Sequence, residues 1–268
     1  MKKIILASAL LASFSAFADT PQLQNLSKSQ VEDVANEFAM NFSHTAVAAP
    51  ETDGVWGIEV GLVAGRSASP ELKKVVDQAG EDGSDFKNVY HAGLMARAHF
   101  PYELFLEASV LPEREISDVT VMARSLGLGW NLGSFFHWPV DVAVGANVSS
   151  SEIEFKQRTT VVTPDDTESK IGVESKTRVL WVGVSKTFLF FTPYAKIGKA
   201  SSDSDVKTSV AGNVFGQDIA GRDSVDVKSD GSYWALGANL EFFFFKLGIE
   251  TSRQADVKRT SAKFSLDF

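Results

Sequence analysis

Between Trp56 and Phe268 the chain alternates apolar residues with small, polar or charged ones, segment after segment. Val140, Val142, Val144, Ala146 and Val148 stand opposite Asp141, Gly145 and Asn147, while Trp56, Ile58, Val60, Leu62 and Ala64 stand opposite Gly57, Glu59 and Gly61. Successive side chains of a strand point to opposite faces, so a period of two predicts a strand with one apolar and one polar face. Similar runs cover 90–98, 104–110, 126–132, 232–242, 246–252 and 261–268, with less regular ones at 177–188 and 193–200. The expected fold is all-β, with about ten antiparallel strands (8–12).

The connections narrow this further. "HFPYE" (99–103), "GSFFHWP" (133–139), "FFTP" (190–193) and "FFFFK" (242–246) are short. The segments 66–86, 112–118, 150–175, 200–230 and 251–258 are mostly longer and rich in charge, Ser, Thr and Asp, and read as loops. Short and long connections alternate, which puts every short turn at one end of the sheet. Aromatic residues gather at those turns: Phe100, Tyr102, Phe135, Phe136, Trp138, Phe188, Phe190, Phe191, Tyr194 and the run Phe242 to Phe245. Four consecutive phenylalanines in a turn invite aggregation in water but form a girdle at a membrane interface.

With these features the chain resembles the bacterial outer-membrane β-barrel class. The resemblance covers 54–268 and implies an up-and-down barrel whose apolar faces meet lipid and whose polar faces line the lumen, because only helices and closed barrels pair every backbone group in hydrocarbon. The terminal strand carries Ala262, Phe264, Leu266 and Phe268 at alternate positions. It looks like the C-terminal strand signal read by the barrel-assembly machinery, here Phe264, Leu266 and Phe268. Outer-membrane lipid and lipopolysaccharide are the other implied partners.

The N-terminus is consistent with that destination. Lys2 and Lys3, the apolar run Ile4 to Phe14, and Ala16-Phe17-Ala18 form a secretory signal peptide (1–18) with cleavage expected after Ala18. Residues 19–53 then form a helix and linker: Val31, Val34, Ala35, Phe38 and Phe42 recur at helical spacing, which predicts a helix over 30–42. A second short helix is expected at 69–78, where Pro70 follows Ser69. The chain has no cysteine, so neither a disulfide framework nor a lipoprotein-type signal is possible. Its net charge of −8 argues against nucleic acid.

The polar faces hold Glu59, Arg97, Glu103, Glu107, Asp141, Lys196, Glu241, Lys246, Glu250 and Lys263, along with Asp267. Both signs are present, so pairing across a narrow or plugged lumen is expected; small barrels are filled by side chains, and wide aqueous channels need roughly 16 strands. Arg97, Lys196, Lys246 and Lys263 should each hold a carboxylate, with Glu107 and Glu250 the leading candidates. Catalytic patterns are scarce. None of His44, His91, His99 and His137 lies in the Asp-x-His context of omptin proteases. His44 precedes the barrel, His137 lies in a turn, and His91 and His99 have no neighbouring serine of the kind barrel lipases use. No P-loop, dinucleotide fingerprint, cofactor motif or metal-ligand spacing occurs. The expected role is structural or surface interaction without catalysis; alternatives are a small-solute channel or an omptin-like or lipid-modifying hydrolase.

Overall fold

The computed structural model describes residues 28–51, 56–78, 87–116, 119–160, 166–214 and 217–268. The signal peptide lies outside them. Ten antiparallel strands form one closed up-and-down barrel: β1 (Gly57–Ala68), β2 (Asn88–Phe100), β3 (Leu104–Ile116), β4 (Val119–Asn131), β5 (Asp141–Thr160), β6 (Asp166–Ser185), β7 (Phe191–Val214), β8 (Gln217–Phe242), β9 (Phe245–Gln254) and β10 (Val257–Asp267). β10 closes against β1, from Glu59–Asp267 to Ser67–Arg259. The paired registers followed from Leu62 reach Lys228 of β8 one way round and Leu240 the other, 12 residues apart. That stagger corresponds to a strand tilt of about 40° and a narrow barrel.

Short turns at one end and hairpins at the other define the two rims. All four short turns bring exposed residues to left-handed backbone, with Tyr102 at φ 65°, His137 at φ 59°, Leu189 at φ 59° and Phe243 at φ 54°. Glycine would relieve that strain. A protruding aromatic or leucine there instead favours an interfacial anchor. Above this rim the outward positions are apolar, as in Val60 and Leu62, Leu126 and Leu128, Leu180 and Val182, or Leu247 and Ile249, all exposed. Farther along the same strands the outward positions become Arg66, Arg124, Glu152, Arg178 and Lys199.

Two of the expected long loops are strands, and a third, 112–118, is strand as far as Ile116. Residues 150–160 and 166–175 extend the β5–β6 hairpin, and 200–214 with 217–230 extend β7–β8, so the sheet rises well beyond the apolar belt on that side. Ile153, Phe155, Val173, Val206 and Val227 project inward there and are buried. The inward face, polar lower down, has turned apolar. The 251–258 connection, also expected as a loop, is a tight turn at Ala255–Asp256.

These apolar side chains meet two helices. α1 (Lys28–Asn41) lies inside the barrel toward the hairpin end, and α2 (Pro70–Gln78) caps the mouth beside it. Phe38 of α1 and Phe42 just after it pack with Phe155, with Leu72, Val75 and Val76 of α2, and with the inward strand residues. Glu37 of α1 accepts hydrogen bonds from the amides of Glu71 (2.7 Å) and Leu72 (3.2 Å) and so caps α2. Burial pushes the Glu37 carboxyl up to about 7, only partly countered by those amides. The helix expected over 30–42 is present as α1, packed within the hairpin-end half of the barrel.

Candidate functional site: the plugged lumen

After α1 the chain runs down the lumen without regular secondary structure, and every residue from Asn41 to Glu51 is buried. Glu51 ends near the short turns, where the Thr187 hydroxyl donates to it at 3.0 Å. An extended segment at membrane depth must have its backbone satisfied by protein. The wall supplies this with cations. Arg97 donates to the carbonyls of Ala49 (2.8 Å) and Glu51 (2.7 Å), and Arg259 donates to those of Ser43 (3.1 Å) and His44 (3.0 Å). Farther up, Ser149 accepts from the His44 amide at 2.8 Å, and Thr177 donates to the Ala39 carbonyl at 3.2 Å.

Room for this plug comes from small inward residues. Ser109, Ser125, Ser149, Thr177 and Ser202 sit directly opposite one another across β3 to β7, a row of hydroxyls. The next row toward the short turns, Glu107, Gly127 and Asn147, carries charge; the one below it, Phe105, Gly129, Gly145 and Trp181, carries rings. A Cβ at Gly129 would strike the Phe105 ring, and one at Gly145 would strike Trp181. Those glycines let flat side chains lie against the wall under the plug.

The charged residues read from the sequence fall into three groups. Glu59, Arg97 and Glu107 are opposite one another on β1, β2 and β3. Arg97 Nε lies 3.6 Å from Glu107, and its guanidinium stacks 4.3 Å from the Phe105 ring centre. Lys263 donates to Glu59 at 2.6 Å, with Ser265 on the same oxygen at 2.5 Å. Lys196 lies 3.5 Å from Glu250, which also accepts from Tyr194 at 2.9 Å. Lys246, nearer the short turns, lies 2.9 Å from Asp267 and 3.2 Å from Glu241. Asp141, half-buried at the start of β5, accepts from Asn131 at 2.7 Å. Glu103 is in the Pro101–Glu103 turn at φ 64°, at the rim rather than on the wall.

At the terminal strand Phe264 faces outward 5.8 Å from the Phe245 ring, and Leu266 is half-buried. Phe268 exchanges backbone hydrogen bonds with Ile58 at 2.9 and 3.0 Å while its ring is exposed.

Sequence reading missed His44, Asn41 and Arg259. His44 was set aside because it precedes the barrel, yet the plug carries it into the lumen, with Nδ1 2.7 Å from Ser125 Oγ and Nε2 3.1 Å from Glu107 Oε2. Arg259 lay between the segment read as a loop (251–258) and the run read as the terminal strand (261–268). The missed signal was its phase: Arg259 shares the parity of Ser261 and Lys263.

A family profile matches residues 64–268, the barrel wall from within β1 to the C-terminus. The chain belongs to that family, a family of unknown function (DUF6588). The plug, residues 28–51, lies outside the matched stretch. No curated protein matches the chain. Among solved structures, Ail, the attachment invasion locus protein of Yersinia pestis, matches at 11% identity over 81% of this chain and 100% of its own, TM-score 0.28. The translocator domain of autotransporter NalP from Neisseria meningitidis matches at 9% over 81% and 89%, TM-score 0.37. The Pseudomonas putida toluene transporter TodX matches at 6% over 88% and 96%, TM-score 0.27. Such distant likenesses carry no argument about function. In architecture this DUF6588 chain is of the general outer-membrane β-barrel class, by its closed sheet, its apolar outward belt and its short-turn rim.

Proposed function

We propose that the protein sits in the outer membrane as a plugged barrel, closed to solutes at rest, and acts through the outer surface built by the β5–β8 hairpins with α1 and α2. The observation that carries this reading is the plug, buried over its whole course from Asn41 to Glu51 and bonded to Arg97 and Arg259. Lipid and lipopolysaccharide are the partners of the belt in this reading, and the barrel-assembly machinery reads Phe264, Leu266 and Phe268. The lower plug is held mostly by side-chain hydrogen bonds to its backbone, contacts that water can replace. That favours gated passage of a small solute as the second reading.

Planar-bilayer recording of the full-length protein, beside a variant lacking residues 19–51, tests both. Silent membranes with the intact protein and steady conductance with the deletion support the plugged state. Brief, reproducible openings of the intact protein favour gating. Porin-sized steady channels from the intact protein overturn both readings.

A further inference from the structure

A small volume between plug and wall, at the outer edge of the lipid belt, combines three features. The ladder between β2 and β3 stops at Leu94–Val110, although β2 pairs with β1 as far as Asn88 and β3 with β4 as far as Ile116. Beyond that pair β2 and β3 form no further ladder among the described residues, which leaves an unpaired seam in the wall. Inward residues beside it, His91, Gly93 and Ser109, are partly exposed, whereas Met95 and Arg97 just below are sealed. At the seam lies a cavity of about 50 Å³ lined by Asn41, Ser43, His91, Ser109 and Ser125, among others. At roughly 10–15 Å³ per water it has room for about three to five waters. An ester group fits that space; a sugar or a phosphorylated head does not.

The second feature is the chain Ser109–Ser125–His44–Glu107, with separations of 2.5, 2.7 and 3.1 Å. An ionised Glu107, paired with Arg97, can only accept, so with it a neutral His44 carries its proton on Nε2 and donates it there. His44 Nδ1 is then a lone pair, Ser125 donates its hydroxyl proton to it, and Ser109 donates to Ser125. This is the order of roles in a nucleophile–base–carboxylate triad, with the two imidazole nitrogens exchanged relative to the serine-protease arrangement. Third, Asn41 is 2% exposed, lines the same cavity, and neither its amide nitrogen nor its oxygen has a partner among the described residues. A histidine that merely ties the plug to the wall requires neither the cavity nor an unpartnered amide beside it.

We propose that Ser125 is the nucleophile of an ester-hydrolysing site that takes single-chain acyl esters sideways from the outer leaflet, entering where the unpaired β2–β3 seam parts. The acyl chain remains against Leu94, Val110 and Leu111. Ser125 Oγ adds to the ester carbonyl carbon while its proton passes to His44 Nδ1, and the Asn41 amide donates to the oxyanion. The bond from carbon to the alcohol oxygen breaks, and that oxygen takes the proton from His44. Water then adds to the acyl carbon, giving a proton to His44; the bond to Ser125 breaks and Oγ recovers that proton. The products are an alcohol and a carboxylic acid. Glu107 is a positioning residue that holds the imidazole tautomer. This activity does not depend on the surface role proposed above.

The test uses the full-length protein in liposomes with a dodecyl fluorophosphonate and, separately, p-nitrophenyl dodecanoate. Folding of each variant is checked by heat-modifiable mobility. The expected result is a phosphonyl adduct on Ser125, absent in Ser125→Ala and retained in Ser109→Ala, with ester turnover falling about 100-fold or more in Ser125→Ala and His44→Asn. Glu107→Gln should move the acidic limb of the rate–pH profile, which a purely structural carboxylate would leave in place. No adduct on the folded wild type, an adduct on Ser109 instead, or turnover unchanged in folded Ser125→Ala would each overturn the proposal.

Discussion

Along β5 and β6 the odd-numbered residues point into the barrel from one rim to the other, yet what they carry changes on the way. At membrane depth most are small or polar, as Ala143, Asn147, Ser149, Thr177 and Ser185 are, with Val179 and Trp181 the large apolar ones, and the outward residues are Val144, Val148, Val182 and Val184. In the outer half the inward set is Ile153, Phe155 and Val173, and the outward set is Glu152 and Glu174. The backbone is continuous and the parity unbroken. The difference lies in the surroundings: lipid outside and a polar plug inside below, water outside and two helices inside above. Apolar side chains go wherever water is absent, and a barrel crossing an interface must exchange its faces there.

Two ion pairs make the same comparison at equal length. Lys263–Glu59 and Lys207–Glu174 are both 2.6 Å, but the first is wholly buried and the second about half exposed. Breaking the buried pair should produce the largest effect. Lys263→Met leaves the buried Glu59 carboxylate with Ser265 as its remaining hydrogen-bond donor among the described residues and Arg97 as the nearby cation, at a cost of about 3–5 kcal/mol, and Lys263→Met with Glu59→Met should recover most of it. Denaturant titration in lipid vesicles measures both, and equal stability of the single and double variants would contradict the assignment of a dry lumen.

A charge on the belt comes next. Val182→Arg should cost about 2–4 kcal/mol in the same titration, whereas Lys176→Leu, six residues along the same outward face, should be close to neutral. Similar losses at both positions would show that the lipid boundary does not fall between Leu180 and Lys176.

Smaller still is the response of the outer half to pH. The Glu37 carboxyl is raised from about 4.5 to about 7, so the folded protein holds that proton more tightly than the unfolded chain. Its contribution is therefore greatest below about pH 4.5 and is lost as pH rises through 7, by at most ~3 kcal/mol. Hydrogen exchange in α2 should speed up across that window in the wild type and stay flat in Glu37→Gln. The least effect belongs to the exposed pair: Lys207→Gln should leave the midpoint unchanged within error.

Ten strands, their order and the lipid-facing set were legible because alternation is local: a period of two can be read within six residues. The hairpin extensions were not, because the apolar set changes face. Beyond Val148 the next large apolar residues, Ile153 and Phe155, have the opposite parity, and a broken alternation reads as the end of a strand. The lumenal pairs were half legible. Parity placed Arg97 and Glu107 on one face, but only the register sets them opposite each other.

The sequence by itself determined that this chain makes a closed barrel with a greasy exterior, since the constraint of pairing every backbone group in lipid leaves a period-two chain little else. Only the tertiary structure decided what fills it. His44 reaches Ser125 and Glu107 across 81 and 63 residues of chain, because a segment outside the alternating region threads back through the lumen. A polar inward face is compatible with water, ions or a plug alike, and nothing in its period says which. That choice is settled by long-range packing: Phe38 and Phe42 find their apolar partners on strands more than 100 residues away, and the carbonyls between them and β1 find Arg97 and Arg259.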